Sequence, residues 1–245
     1  RGVTPRGRAE LGIRVAARSW IARCVLVAIW LLAAANARAA GTPAGTPISN
    51  TATVSYDVGA DSYTQSATAV FTVDERIDVV VTWQDASAVV VAPADVDRLL
   101  TFLVTNTGNG NESFALAIDA GIAGDQFDPT NARVYVDAND SGSFEPGVDP
   151  LYQPGVNDPL LAPDAARVVF ALSDIPPAVV NGDRGDCELR ATSFTGATSG
   201  TVVAGGGDLG TDAVIGTGTG AALGSYLVAD LIVSTSKSAV VSDSG

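Results

Sequence analysis

Residues 99–119, LLTFLVTNTGNGNESFALAID, alternate apolar and polar side chains on both sides of a polar connector. Leu100, Phe102 and Val104 share one side of the first run, and Phe114, Leu116 and Ile118 share one side of the second. A helical period of 3.6 would scatter these residues around an axis, whereas a strand period of two gathers them on one face. The stretch therefore predicts two strands of a half-buried sheet. Its connector, Asn106-Thr107-Gly108-Asn109-Gly110-Asn111, consists of residues that tolerate positive φ or close Asx-turns.

The first forty residues are of another kind. Arg1, Arg6, Arg8, Arg14, Arg18 and Arg23 form a basic region, an apolar run spans 24–35, and Ala37-Arg38-Ala39 follows as an A-x-A cleavage pattern. This predicts a secretory signal peptide over 1–39. Twelve apolar residues fall short of the ~20 that a membrane-crossing helix requires. The chain begins at Arg1 and holds no Met, so it is expected to be a piece of a longer protein.

Residues 1–40 carry seven of the 14 basic groups and one of the 27 acidic ones, which leaves 7 and 26, a formal charge of −19, on the remainder. So acidic a surface argues against nucleic acid and anionic lipid as partners, since their binders present basic patches. Divalent cations suit it better, and solubility alone is the simplest account of the charge. Beyond the leader, Cys187 is the one cysteine left, so no intramolecular disulfide is expected there. In CELRATS, Cys187, Leu189 and Ala191 share a face, and Cys187 is read as a small buried hydrophobe.

Short alternating runs separated by Gly, Pro, Asn and Asp fill the rest, and the fold class expected is all-β, an immunoglobulin-like antiparallel sandwich. Residues 40–75 read as an N-terminal β-hairpin with its turn near Gly59-Ala60-Asp61-Ser62. Residues 76–215 read as the sandwich, with strands at 78–84, 99–105, 113–118, 132–137, 166–172 and 187–193. Trp83 is expected to anchor the core, and Ile175-Pro176-Pro177 to interrupt pairing, because proline lacks the N–H a ladder needs. Residues 216–245 read as a glycine-rich linker followed by a strand starting near Tyr226, the first strand of a truncated next repeat, paired loosely if at all.

The words ISNTATVSY (48–56), FLVTNTGNGNESFAL (102–116) and VYVDANDSGSFEPGVD (134–149), with Lys237, Ser238, Val241 and Asp243 in a K-S-x-x-V-x-D pattern, resemble exported bacterial surface proteins built from VTNTG-type immunoglobulin-like repeats of unknown function. The resemblance implies modular, surface-exposed architecture and no activity.

One loop has the makings of a site. Asp137, Asn139 and Ser141 stand at positions one, three and five of a calcium-type loop with Gly142 at six, and Ser143 and Asp149 supply further oxygens. Position twelve is Val148 rather than a bidentate Glu, and strands flank the loop, so it resembles the isolated Ca²⁺ loops of surface modules more than an EF-hand. A bare hairpin loop held by Asx-turns is the competing reading. Gly205, Gly207 and Gly210 satisfy G-x-G-x-x-G, but no strand-loop-helix context surrounds them, so they read as linker. The chain holds no His, which excludes Ser-His-Asp and Cys-His catalysis and His-ligated metal.

The expected function is thus that of a non-catalytic structural or adhesive module of a larger secreted or cell-surface protein, with neighbouring repeats or other surface proteins as partners and no membrane span after processing. The alternative is a subunit of an extracellular filament, in which a terminal strand of one chain completes the sheet of another.

Overall fold

Alternating burial runs through most of the strands of the body. The computed structural model describes residues 41–229, so the expected signal peptide and the K-S-x-x-V-x-D segment lie outside the described residues. The strands are β1 Pro47–Val58, β2 Asp61–Thr72, β3 Glu75–Trp83, β4 Val89–Val91, β5 Arg98–Asn106, β6 Glu112–Asp119, β7 Thr130–Val136, β8 Leu160–Leu161, β9 Ala166–Asp174, β10 Arg184–Ser193, β11 Val202–Val203, β12 Ala213–Thr217 and β13 Thr219–Val228. The six strand segments expected in the body all form, as β3, β5, β6, β7, β9 and β10.

Two sheets face each other, in the orders β4-β13-β10-β6-β8 and β11-β12-β3-β5-β9-β7. Val79 and Val81 of β3, Leu100, Phe102 and Val104 of β5, Phe114 and Leu116 of β6, and Leu189 and Ala191 of β10 meet in one core between them. Each large side chain so buried contributes about 1.5–3 kcal/mol. Cys187 lies in this core without a disulfide, as a small hydrophobe, and burial pushes its thiol up to about 11. Trp83 packs at the core's margin while its indole Nε1 donates to Asp85 Oδ2 at 2.6 Å. β9 ends at Asp174, just ahead of the two prolines.

Three expectations need correction. The runs at 99–105 and 113–118 do not share a sheet: β5 pairs with β3 and β9, β6 with β10 and β8, so their connector crosses from one sheet to the other. Gly108 and Gly110 serve this crossing through closeness rather than positive φ, since a Cβ on Gly108 would lie 2.2 Å from the Arg76 carbonyl oxygen. Nor is the sandwich wholly antiparallel, because β12 runs parallel to β3 and β13 parallel to β4.

The third correction concerns the boundary at 215. Residues 216–228 are no linker: β13 starts at Thr219 and pairs antiparallel with β10 from Thr219↔Thr192 to Leu227↔Arg184, with Tyr226 0% exposed. Glycine misled because it has two uses. Here it admits close approach, and a Cβ on Gly224 would stand 2.8 Å from the Phe102 ring. The strand belongs to this sandwich.

The sandwich has two poles. β3 runs from Glu75 to Trp83, and Trp83 pairs with Phe102 near the start of β5. β13 runs the same way: Gly220 abuts Val79, Gly224 abuts Trp83, and the Tyr226 hydroxyl donates to the Arg98 carbonyl at 2.8 Å. The chain thus enters β3 at the Glu75 pole and leaves β13 at the Arg98 pole. The β1–β2 hairpin, turning at Gly59-Ala60 as expected, joins the Glu75 pole as a separate two-stranded sheet.

Candidate functional site

The loop over 137–149 brings its expected residues together. Asp137 is 0% exposed and Asp149 4%. Asp137 Oδ1 accepts from the Asn139 and Ser141 amides, and its Oδ2 accepts from the Gly142 amide at 2.7 Å. Asp149 closes the neck, taking the Ala138 amide on Oδ1 and the Glu145 amide on Oδ2. Asn139 Oδ1 accepts from the Ser141 amide, and its Nδ2 donates to Glu145 Oε2 at 2.6 Å. Ser143 joins through Ser141, whose hydroxyl donates to the Ser143 carbonyl.

The loop is also packed. Phe144 stands edge-on to Tyr135 and to Phe170, with centroids 5.0 and 5.6 Å apart, and covers the outer side of β9. Arg167 donates to the Asp137 carbonyl and pairs with Asp140 at 2.5 Å. Among the described residues no ion pair reaches the carboxylates of Asp137 or Asp149.

A carboxylate offers about four lone-pair sites. Asp137 spends three on amides and Asp149 two, so oxygen capacity remains at the neck. No group of three or more Asp, Glu, Cys or His among the described residues is arranged to hold a metal. An ion here would therefore rest on two carboxylates and on neutral oxygens of Asn139, Ser141 and Ser143, a donor set that suits Ca²⁺ rather than a softer metal.

The joint between hairpin and sandwich uses Asn106 and Asn109 for more than the turn formation expected of them. Asn109 Nδ2 donates to the Thr42 and Asp74 carbonyls, and its Oδ1 accepts from the Arg76 amide at 2.6 Å. Asn106, fully buried, donates to the Gly110 and Leu161 carbonyls at 2.8 Å and accepts from the Gly108 amide. The Asn-x-Gly spacing is the signal for that last bond, an Asx-turn; the two carbonyl partners had no local signal. Glu112 grips the far turn, its Oε1 taking the Ser193 hydroxyl and the amides of Phe194 and Thr195.

Glu75, buried at this pole, accepts from the Asp208 amide on Oε2 at 2.5 Å, while its Oε1 has no partner. Burial, with Asp208 and Glu112 nearby, raises its pKa above the ordinary carboxylate range. Beside it a shallow pocket of ≈ 360 Å³ is lined by Pro43, Ala44, Asn111, Pro163, Asp208 and Leu209, among others. The G-x-G-x-x-G glycines belong to this pole too: Gly207 precedes a single 3-10 turn, Asp208–Gly210, rather than a helix that could receive a phosphate.

The hairpin has two unlike faces. Thr51, Thr53 and Ser55 pair by hydroxyl hydrogen bonds with Thr68, Ser66 and Thr64, at 2.8, 2.9 and 3.2 Å. The opposite face carries Ile48, Ala52, Val54 and Tyr56 against Phe71, Ala67, Gln65 and Tyr63, with the two tyrosine rings stacked at 5.5 Å. That apolar face is bare: Val54 is 61% exposed and Phe71 60%.

Among the described residues no helix is long and apolar enough to cross a membrane. Comparison with known protein families and with curated proteins found no match to this chain.

Proposed function

We propose that this chain is a non-catalytic structural or adhesive module of a larger exported, cell-surface protein, working end to end. One observation carries the reading: the body is entered at one pole, through β3, and left at the other, through β13. Tension along that axis loads both strands lengthwise, and ladder hydrogen bonds lie across the strands. They must then yield together rather than one by one. The basic leader with its A-x-A pattern and the resemblance to surface repeats support the same reading.

Single-molecule pulling tests it. Handles at Asp74→Cys and Ala229→Cys should give one rupture, at a force clearly above that found with handles at Asp74→Cys and Thr107→Cys, which peel β3 from β5. An axial rupture no stronger than the peel overturns the load-bearing role.

A second reading, favoured by the two buried carboxylates that share one loop neck, adds a Ca²⁺ ion held by Asp137, Asn139, Ser141, Ser143 and Asp149. It would tie the loop to the outer face of the six-stranded sheet.

A further inference from the structure

We propose that the β1–β2 hairpin is a docking site for a second copy of this chain, which lays its segment 231–242 along a free hairpin edge as a third strand. The proposal deepens the end-to-end module reading and rests on it.

The first argument is how the sheet edges are treated. The sandwich guards its own: β4, β8 and β11 are three, two and two residues long, and β7 is covered by the returning chain, with the Tyr152 amide donating to the Val134 carbonyl and the Val136 amide to the Pro150 carbonyl. The hairpin has two strands of twelve residues, both edges of a sheet of two, and exposed on both faces. Edge strands are ordinarily blunted by charge, proline or brevity. Apart from Pro47 at the start of β1, and Asp57 and Asp61 beside the turn, β1 and β2 contain no proline and no charged residue, in a chain that is 17% charged. A two-stranded ribbon is marginal in water and gains most from a third strand.

The second argument identifies the occupant. Segment 231–242, LIVSTSKSAVVS, has one charged residue, Lys237, and no acid. Two such stretches on an otherwise acidic protein can meet without burying like charge. The parity fits as well: Ser234, Ser236 and Ser238 would extend the hydroxyl ladder of Thr51, Thr53 and Ser55. Leu231, Val233 and Thr235 would then lie on the side of Val54 and Tyr56.

The third argument decides between the same copy and another. β13, which leads to the segment, ends at the Arg98 pole, and the hairpin stands at the Glu75 pole. Nine steps of β13, from Thr219 to Val228, already cover about 30 Å. A return in the same copy would spend residues 230–238 on the journey, and these include the alternating part. A second copy, stacked head to tail, brings its hairpin to the pole at which β13 ends. Addition of a strand to an open edge then joins main-chain hydrogen bonds with alternate side chains.

The experiment uses the chain as exported by an expression host, measured by sedimentation velocity at tens of micromolar. The full chain should form oligomers that grow with concentration. A chain stopped after Ala229, and a full chain carrying Val54→Asp and Tyr56→Asp, should each be monomeric, with melting curves like the parent's, because the first keeps β13 whole and the second changes only the hairpin. Mixed one to one, the two monomers should form a heterodimer, since one keeps the hairpin and the other keeps the segment. A monomeric full chain overturns the proposal while leaving the axial rupture force untouched. Association of the chain stopped at Ala229 overturns it in favour of hairpin-to-hairpin pairing, and failure of the mixture to form heterodimer overturns it as well.

Discussion

The hairpin and the sandwich use the same period of two and obtain opposite results. In β5 the alternation places Leu100, Phe102 and Val104 against a second sheet, and all three are fully buried. In β1 an equally regular alternation gathers Ala52, Val54 and Tyr56 on one face, with no sheet among the described residues against it. A strand pattern therefore specifies which side chains travel together. Whether they are buried depends on a partner sheet that the pattern itself does not encode. The sandwich has that partner within the chain, and the hairpin presents its face outward.

Removing pieces should expose the contrast most strongly. Deleting residues 219–229 takes Tyr226 and Val228 out of the core and one of the two partners of β10 out of its sheet, so the body should lose its cooperative melt and its near-ultraviolet dichroism. Replacing 47–72 by a short turn should leave the melting temperature within a few degrees. If the sandwich survives loss of β13, that strand is peripheral and the boundary belongs near 215 after all.

Single residues should repeat this on a smaller scale. Tyr226→Ala is expected to cost about 3–5 kcal/mol, as large-to-small changes of buried aromatics do. Tyr56→Ala should stay within about 0.5 kcal/mol, the usual range for an exposed site. Urea unfolding of the two variants measures both values. A cost above ~2 kcal/mol at Tyr56 would mean that the hairpin face is already covered. Asn106→Ala should cost at least as much as Tyr226→Ala: it strands the buried Gly110 and Leu161 carbonyls and the Gly108 amide, at about 1–3 kcal/mol for each group left unsatisfied.

How far the sequence could be read follows from the same contrast. Local alternation sufficed for β3, β5, β7, β9 and β10, whose signal lies within a few residues. The turn residues near Gly59-Ala60-Asp61-Ser62 marked the hairpin turn, which forms at Gly59-Ala60. The sheet membership of β5 and β6 was not local, because a crossing and a hairpin can use the same Asn/Gly connector. β13 was hidden by its small residues: Gly220, Ala221, Ala222 and Gly224 have no apolar bulk to alternate, and the two glycines let the strand approach β3 and β5. At the loop, the spacing of Asp137, Asn139, Ser141 and Asp149 foretold which groups meet. It could not foretell that Phe144 packs on Phe170, since that contact depends on where β9 lies.

The loop gives a prediction of intermediate size. If Ca²⁺ binds only the folded chain, it stabilises by mass action, by about 2.7 kcal/mol at a hundred times its dissociation constant. Chelator should then lower the melting temperature of the parent by several degrees. Asp137→Ala should abolish that response. A melting curve indifferent to millimolar Ca²⁺ would leave the amide-filled carboxylates as a purely structural knot. The leader is tested separately: the exported chain should begin at Ala40 or Gly41 by terminal sequencing, and a start upstream of Trp30 would contradict the signal peptide.

The smallest effect is expected at the joint between the two regions. Glu75 is the first residue of β3, and one of its carboxylate oxygens is buried without a partner. Burial, the largest cause, lifts its folded pKa above 4.5. Below that value the carboxyl is protonated in both states and Glu75 adds no pH dependence. As pH rises, the unfolded chain releases its proton first and binds fewer protons than the folded one, so stability falls until pH passes the folded pKa and then levels off. Glu75→Gln mimics the neutral form, and the variant should melt above the parent at pH 7, with the difference shrinking towards pH 4. The replacement of 47–72 by a short turn should leave this pH profile unchanged if Glu75 answers only to the sandwich, through Asp208 and Glu112. A profile that flattens when the hairpin is removed would instead make Glu75 the point at which the hairpin and the body are energetically joined.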